Sequence, residues 1–316
     1  MVLLRQMGGG ETLTPFGRQV KNNYKVTMAP AAAQTAAKKD ILRRIPGRIR
    51  TGYRGTMRYQ PILAKAAFAG FLAGLAVALT ASFGTRLGFW DYALGVKILV
   101  PGVAIGAVAL ASAIAWIARA LTANESLGWR LGSIGLAGSV LLVGIPADNL
   151  WHRMTLPPIH DVSTDIGDAP QFRTLLAWRK GAANPASYDG PVVVTYGGER
   201  GTTALAQKYA YPDVKPVERL KGQFTEKEFY GKMFWRALNT VNALDWRVAS
   251  FDFKSGRIEA TDTSFWFGIV SDIAIRVRPA GAIGVRIDIR AKSRTGGADA
   301  GRNAEIIRDF LPRMKA

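Results

Sequence analysis

Three apolar runs in the first half of the chain decide what it can become. Between residues 60 and 83 the only charge is Lys65, residues 92–117 carry only Lys97, and residues 131–147 carry none. A bilayer's hydrocarbon core, about 30 Å thick, is crossed by about 20 apolar residues in a helix. The first two runs exceed that length. The third is shorter, but Trp129 and Trp151 flank it where interfacial anchors belong. A helix buried in a soluble core would show polar positions at helical spacing along one side, and none is visible. Three transmembrane helices are therefore expected. A cleaved signal peptide is the rival for the first, with small residues near 78–82. Its apolar run is too long for a signal core, and two more spans follow it.

Charge orients these helices. The chain's formal net charge is +19, of which +10 falls in residues 1–58. Arg43, Arg44, Arg48, Arg50, Arg54 and Arg58 all precede the first span closely, whereas Arg86 alone occupies the loop after it. Basic residues are retained on the cytoplasmic side. The N-terminus is thus expected inside, and three crossings put the C-terminal half outside. With no cysteine in the chain, that half has no disulfide, thiolate metal site or thiol nucleophile. The pattern fits a multi-pass protein of a bacterial inner membrane with a periplasmic domain. Residues 1–58 have no sustained apolar period and read as a disordered basic segment, with Met57 an alternative start and a transit peptide a further reading. Residues 59–149 form the membrane part and residues 150–316 the exported domain.

Within the spans, Gly70–Gly74 and Gly102–Gly106 have the small-xxx-small spacing that lets helix backbones approach closely. No acid or histidine sits deep in any span, so an ion or proton pathway lacks its usual chemistry.

From residue 150 the texture is that of a soluble protein. "HRMTLPPIHDVSTDIGDAPQF" reads as an extended linker, and "PVVVTYG" as a short strand. In "FTEKEFYGKMFWRALNTVNAL" Thr225 and Glu228 form a capping box, and Phe229, Met233, Ala237 and Val241 share a helix face. Strict alternation follows. "WRVASFDFKSGRIEATDT" reads as two strands turning at Ser255–Gly256, and Ile273, Ile275 and Val277 alternate with charged or small residues. Val285, Ile287, Ile289 and Ala291 alternate with Arg286, Asp288, Arg290 and Lys292. A last helix carries Ile306, Ile307, Phe310 and Leu311. The order predicts an α+β domain: an antiparallel sheet of about four strands, apolar on one face and charged on the other, with flanking helices.

Candidate chemistry is sparse. "HDVSTD" places His160, Asp161, Ser163, Thr164 and Asp165 together, but the members of a hydrolase triad normally come from distant parts of a chain. A second nitrogen ligand for a metal at His160 is hard to find, and polar capping of a docking turn is the simpler expectation. No cofactor or metal is expected. Arg276, Arg278, Arg286, Arg290 and Lys292 could hold an anionic envelope ligand, although Asp272 and Asp288 can neutralise them across the strands, and a solvated, ion-paired face is the commoner outcome. Nucleic acid is disfavoured by location and by the lack of a recognition motif. The aromatics of "TSFWFG" are expected to be buried, the alternative being an apolar lip facing the membrane or a ligand. "SRTGGADAGRN" lacks the residues of a P-loop and the spacing of a dinucleotide site. Asp299 can cap the last helix, with Arg302 and Asn303 in its first turn. Arg294, Asp299 and Arg302 are expected near His160–Asp165, forming a clasp on the linker.

"PPIHDVSTDIGDAPQF", "GRIEATDTSFWFGIVSDIAIRVRP" and "IDIRAKSRTGGADAGRNAEIIRDFL" together resemble the DUF1499 family, a domain of unknown function found in bacteria and plastids. The resemblance spans residues 157–311 and carries no catalytic residue over. Its recurrent polar positions correspond to His160, Asp161, Ser163, Thr164, Asp165, Asp272, Arg276, Ser293, Arg294, Asp299 and Asn303. The expected protein is non-enzymatic: a ligand-binding or assembly module whose partners are the bilayer and an anionic envelope ligand or another membrane protein. The rival is an envelope hydrolase using His160–Asp165.

Overall fold

The structure is a computed structural model that describes residues 62–123, 128–281 and 284–315. The basic segment 1–58 lies outside the described residues. Three helices come first: α1 (Ile62–Arg86), α2 (Tyr92–Ala123) and α3 (Trp129–Thr155), each long and apolar enough to cross a membrane. Glycine lets them pack. A Cβ on Gly74 would lie 2.8 Å from the Gly102 carbonyl and 2.7 Å from Leu142, and one on Gly70 would lie 2.9 Å from Ala109. The expected small-xxx-small contact is therefore present between α1 and α2. A third set was not anticipated: a Cβ on Gly135 of α3 would come within 2.7 Å of the Phe68 backbone nitrogen.

α3 continues to Thr155, so the first residues of the expected extended linker are helical. The apolar run ends near residue 147, but nothing ends the helix before Pro157. Beyond the run its turns are held by polar contacts, with Arg153 bonding Asn149 at 2.9 Å and the Tyr92 hydroxyl at 2.8 Å.

The domain is built on an antiparallel sheet, as the alternation predicts. Its long strands are β5 (Arg247–Asp252), β6 (Arg257–Thr263), β7 (Val270–Pro279) and β8 (Gly284–Ser293), adjacent in sequence order. Two short strands complete the sheet: β1 (Asp161–Ser163) and β4 (Val217–Leu220) both pair with β8. The segment read as linker therefore contains a sheet strand. A separate hairpin joins β2 (Val193–Tyr196) to β3 (Glu199–Thr202) through Gly197 and Gly198, both at positive φ. Between β5 and β6, Gly256 is the only residue that fits: φ is +65°, and a Cβ there would lie 1.9 Å from the Val277 carbonyl.

Against one face pack α6 (Glu226–Ala243) and α7 (Arg302–Lys315), with the short α4 (Leu175–Trp178) and α5 (Thr203–Ala210) elsewhere. The capping box at Thr225 and Glu228 forms as expected. Phe229, Met233, Ala237 and Val241 from α6 and Ile307 and Phe310 from α7 meet Ile273, Ile275, Ile287 and Ile289 in one core. Burying each of these side chains other than Ala237 is worth about 1.5–3 kcal/mol.

The aromatic stretch between β6 and β7 departs from expectation. Phe265 and Trp266 are 65% and 48% exposed rather than buried. Its backbone is held outward because the turn is bonded to the end of α1: Arg86 donates to the Ser264 and Phe265 carbonyls, and Ser82 to that of Trp266.

Candidate functional site

Side chains alternate across a strand, so β8 delivers Asp288, Arg290 and Lys292 to the face opposite α6 and α7, and β7 delivers Asp272 and Arg276. Ion pairing on that face was expected; exposure to solvent was not what resulted. Asp161, Glu259, Asp272, Asp288, Arg290 and Lys292 are all fully buried. The cover is the chain between β1 and β2, whose Phe172 and Leu175 pack on Ala274. No period marks this segment, so its role as a lid over the charges has no signature in the pattern.

The innermost group centres on Arg290. Its guanidinium holds the Asp161 carboxylate in a fork, Nε to Oδ1 and Nη2 to Oδ2, each 2.8 Å. Its remaining donors reach the carbonyls of Pro170, Ala186 and Ser187 in the cover. The plane lies 4.6 Å from the Phe172 ring centre and 5.3 Å from that of Tyr188. Lys292 Nζ is 2.7 Å from both the Ser187 carbonyl and Asp189 Oδ2, and 3.4 Å from Asp161. Asp189 also accepts from His160 Nε2 at 3.0 Å, while the other ring nitrogen faces the Gly297 carbonyl at 3.2 Å. Burial disfavours the imidazolium, but the bonds to Asp189 and Gly297 outweigh it and raise the His160 pKa above its ordinary value. Burial likewise raises the Asp189 carboxyl, and His160 and Lys292 more than reverse it, leaving the pKa low.

A second group surrounds Asp272. Arg179 reaches it at 2.6 Å and Arg294 grips it with two nitrogens, the shortest contact 2.7 Å. Arg179 and Asn184 then tie the cover to the carbonyls at the end of β8. A third group gathers Arg276, Arg278 and Arg286 around Asp165 and the buried Asp288, with Asp168 at its edge. Burial would raise Asp165, but the backbone N–H groups of Asp168 and Gly167 and the guanidiniums of Arg286 and Arg276 hold its pKa low. Glu259, the fourth, receives the backbone N–H groups of Arg173, Thr174 and Leu175 and so caps α4.

The sequence-predicted residues distribute over these groups. The expected clasp forms through backbone and Asn303: Ser293 N and Asn303 Nδ2 donate to the His160 carbonyl, and Asp299 N to that of Ile159. Asn303 also bonds Ser293 Oγ at 3.0 Å. Asp299 accepts from the Gly301 and Asn303 N–H groups at the start of α7, the cap foreseen for it. The two guanidiniums assigned to the clasp go elsewhere, Arg294 to Asp272 and Arg302 to Asp262. Both lie closer to carboxylates on the sheet than to the linker's, which β8 and β7 have already paired. Ser163 exchanges backbone hydrogen bonds with the Gln207 side chain, and Thr164 Oγ1 bonds the backbone of Ile289.

His160 contacts a carboxylate and a carbonyl, with no hydroxyl on either nitrogen among the described residues, and Ser163 Oγ donates to the Asp165 carbonyl. No group of three or more His, Cys, Asp or Glu residues among the described ones could hold a metal. Arg179, Asp189, Asn184 and Gln207 were missed because each lies in a stretch without period; Glu259 in β6 and Asp288, Arg290 and Lys292 in β8 lie on strands that the alternation predicts, but their burial was not legible. Residues 161–314 match the family model of a protein of unknown function, DUF1499. No curated protein and no solved structure matches the chain.

Proposed function

We propose, for a chain whose C-terminal domain is of the DUF1499 family, that it is a membrane-anchored, non-enzymatic assembly module. The domain would stand on the periplasmic face of a bacterial inner membrane, with the N-terminus in the cytoplasm. One observation carries the non-enzymatic reading. The domain's concentrated acids and bases are consumed by one another and by backbone: Asp161 by Arg290 and Lys292, Asp272 by Arg179 and Arg294, Asp288 by Arg276 and Arg286. A catalytic site needs a proton donor or nucleophile free to meet substrate. The same saturation weighs against an anionic envelope ligand on the sheet face and in favour of another membrane protein as partner.

The test separates structure from chemistry. His160→Ala and Asp165→Ala in the full chain should lower the domain's resistance to proteolysis, with loss of function tracking loss of fold. A variant that stays folded and correctly located yet loses its cellular role would overturn the reading in favour of a hydrolase. Alkaline phosphatase fused after Arg313 should be active and one fused within residues 30–55 inactive; the reverse would invert the topology.

A further inference from the structure

We infer that the turn Ser264–Gly268 is a membrane-inserted wedge, placing Phe265 and Trp266 in the bilayer that houses α1–α3. The inference rests on the reading that these helices cross a membrane. Lys65 and Arg86 bracket the apolar stretch of α1 and are 21 residues apart. At about 1.5 Å per residue that is about 31 Å, close to the hydrocarbon thickness of about 30 Å. Arg86 therefore marks the boundary on the domain's side, and Ser82 lies one turn deeper.

The turn is bonded to these two residues. Arg86 Nη1 donates to the carbonyls of Ser264 at 2.8 Å and Phe265 at 2.7 Å, and Ser82 Oγ donates to that of Trp266 at 2.6 Å. The peptide of Trp266 is thus level with a residue inside the boundary. Irregular backbone survives at such depth only if its polar groups find partners in protein, since no water is there to supply them. Here three successive carbonyls are satisfied by α1. Inside the turn, Gly268 N donates to the Ser264 carbonyl, Ile269 N to Ser264 Oγ, and Ser264 N to the Ile269 carbonyl. These carbonyls and N–H groups find their partners within the protein, while the Phe265 and Trp266 side chains face out of it.

Aromatic contacts fix the approach. Phe265 meets Phe83 edge-on at 6.4 Å, and Phe267 meets Tyr92 at 5.7 Å. Gly268, at φ +64°, has Arg86 Cα 3.1 Å from where a Cβ would sit, so the turn lies directly on the helix. Leu87 and Phe89 in the loop after α1 are 67% and 75% exposed and extend the same apolar band. Aromatic residues favour this depth, where a ring spans apolar and wet layers. The domain is thus seated on the bilayer at two places, by α3 and by this turn.

The chain's lack of cysteine makes the test direct. A nitroxide attached at Phe265→Cys, in the full chain in phosphatidylcholine proteoliposomes, would be relaxed by oxygen and by a water-soluble nickel chelate in turn. Ile114→Cys on α2 serves as the membrane reference. Oxygen should dominate at both, more strongly at 114. Nickel dominating at 265 with 114 in lipid would overturn the wedge while leaving the spans intact. A label at 265 reached by neither reagent would put protein there and overturn the lipid assignment. Nickel dominating at 114 would overturn the membrane reading, and the wedge with it. Ser82→Ala combined with Arg86→Leu should shift the oxygen-to-nickel ratio at 265 toward water.

Discussion

The two faces of one sheet are held by different physics. On one, Ile273, Ile275, Ile287 and Ile289 meet the apolar stripes of α6 and α7. On the other, residues offset by a single position, Asp272, Asp288, Arg290 and Lys292, are buried just as completely under a segment with almost no regular structure. Burial is worth much the same everywhere on the first face and depends on area. On the second it costs free energy unless every charge finds its partner. The apolar face tolerates local change by degrees, whereas the charged one is closer to all-or-none.

The sharpest break of that comparison is Asp161→Ala. It leaves Arg290 and Lys292 facing each other without a carboxylate between them, and removing one member of a buried pair costs about 3–5 kcal/mol. Hydrogen exchange at the β8 amides in the full chain should rise accordingly. The companion variant, Asp161→Leu with Arg290→Met, removes both charges and should recover much of the loss. If the double variant exchanges as fast as the single one, the pair would have to supply more than charge balance. Glu259→Ala comes next. It frees three backbone N–H groups at the start of α4, with about 1–3 kcal/mol expected for buried donors left unsatisfied, and the readout is protease cleavage within residues 165–190. On the opposite face Ile287→Val should cost only about 0.5–1.5 kcal/mol and leave that segment's cleavage unchanged.

The same contrast explains what was legible beforehand. Periodicity reports where apolar residues point, so the three long apolar helices, α6, α7 and the strands β5–β8 could all be read from the pattern. It even separated Arg290 from Ile289. It could not report that Arg290 is buried, because burial depends on the lid, and the lid's partners are scattered: Asp189 lies 103 positions from Lys292, and Arg179 lies 93 from Asp272. Arg294 and Arg302 show the converse error. Both are near the linker in the fold, but charge alone could not choose between its acids and those of Asp272 and Asp262. The Phe265–Phe267 stretch misled for a related reason, since its composition could not report that its backbone is tied to the end of α1, which holds Phe265 and Trp266 outward.

The smallest expected effect concerns His160, where lid, linker and β8 meet. Its two ring nitrogens face only acceptors, the Asp189 carboxylate and the Gly297 carbonyl, so the doubly protonated ring alone satisfies both. Asp189 faces it from the lid, Lys292 acts on it from β8, and its own charge is felt by Asp299 before α7. Because its pKa is raised on folding, its contribution is complete below the ordinary histidine value of about 6.5 and is lost as pH climbs through the raised one. Asp165 and Asp189 behave oppositely. Their pKa values are lowered, so their contributions are present above the ordinary carboxylate value of about 3.9 and vanish only as acid titrates them through the lowered ones. Between those limits every pair is intact. Amide exchange at residues 159–163, corrected for base catalysis, should therefore quicken as pH rises above the ordinary histidine value of about 6.5 and the imidazolium is lost. His160→Gln, which keeps one donor and cannot titrate, should flatten that slope while leaving the Arg290 group protected. An unchanged slope in the variant would mean that the charged face does not feel this ring at all.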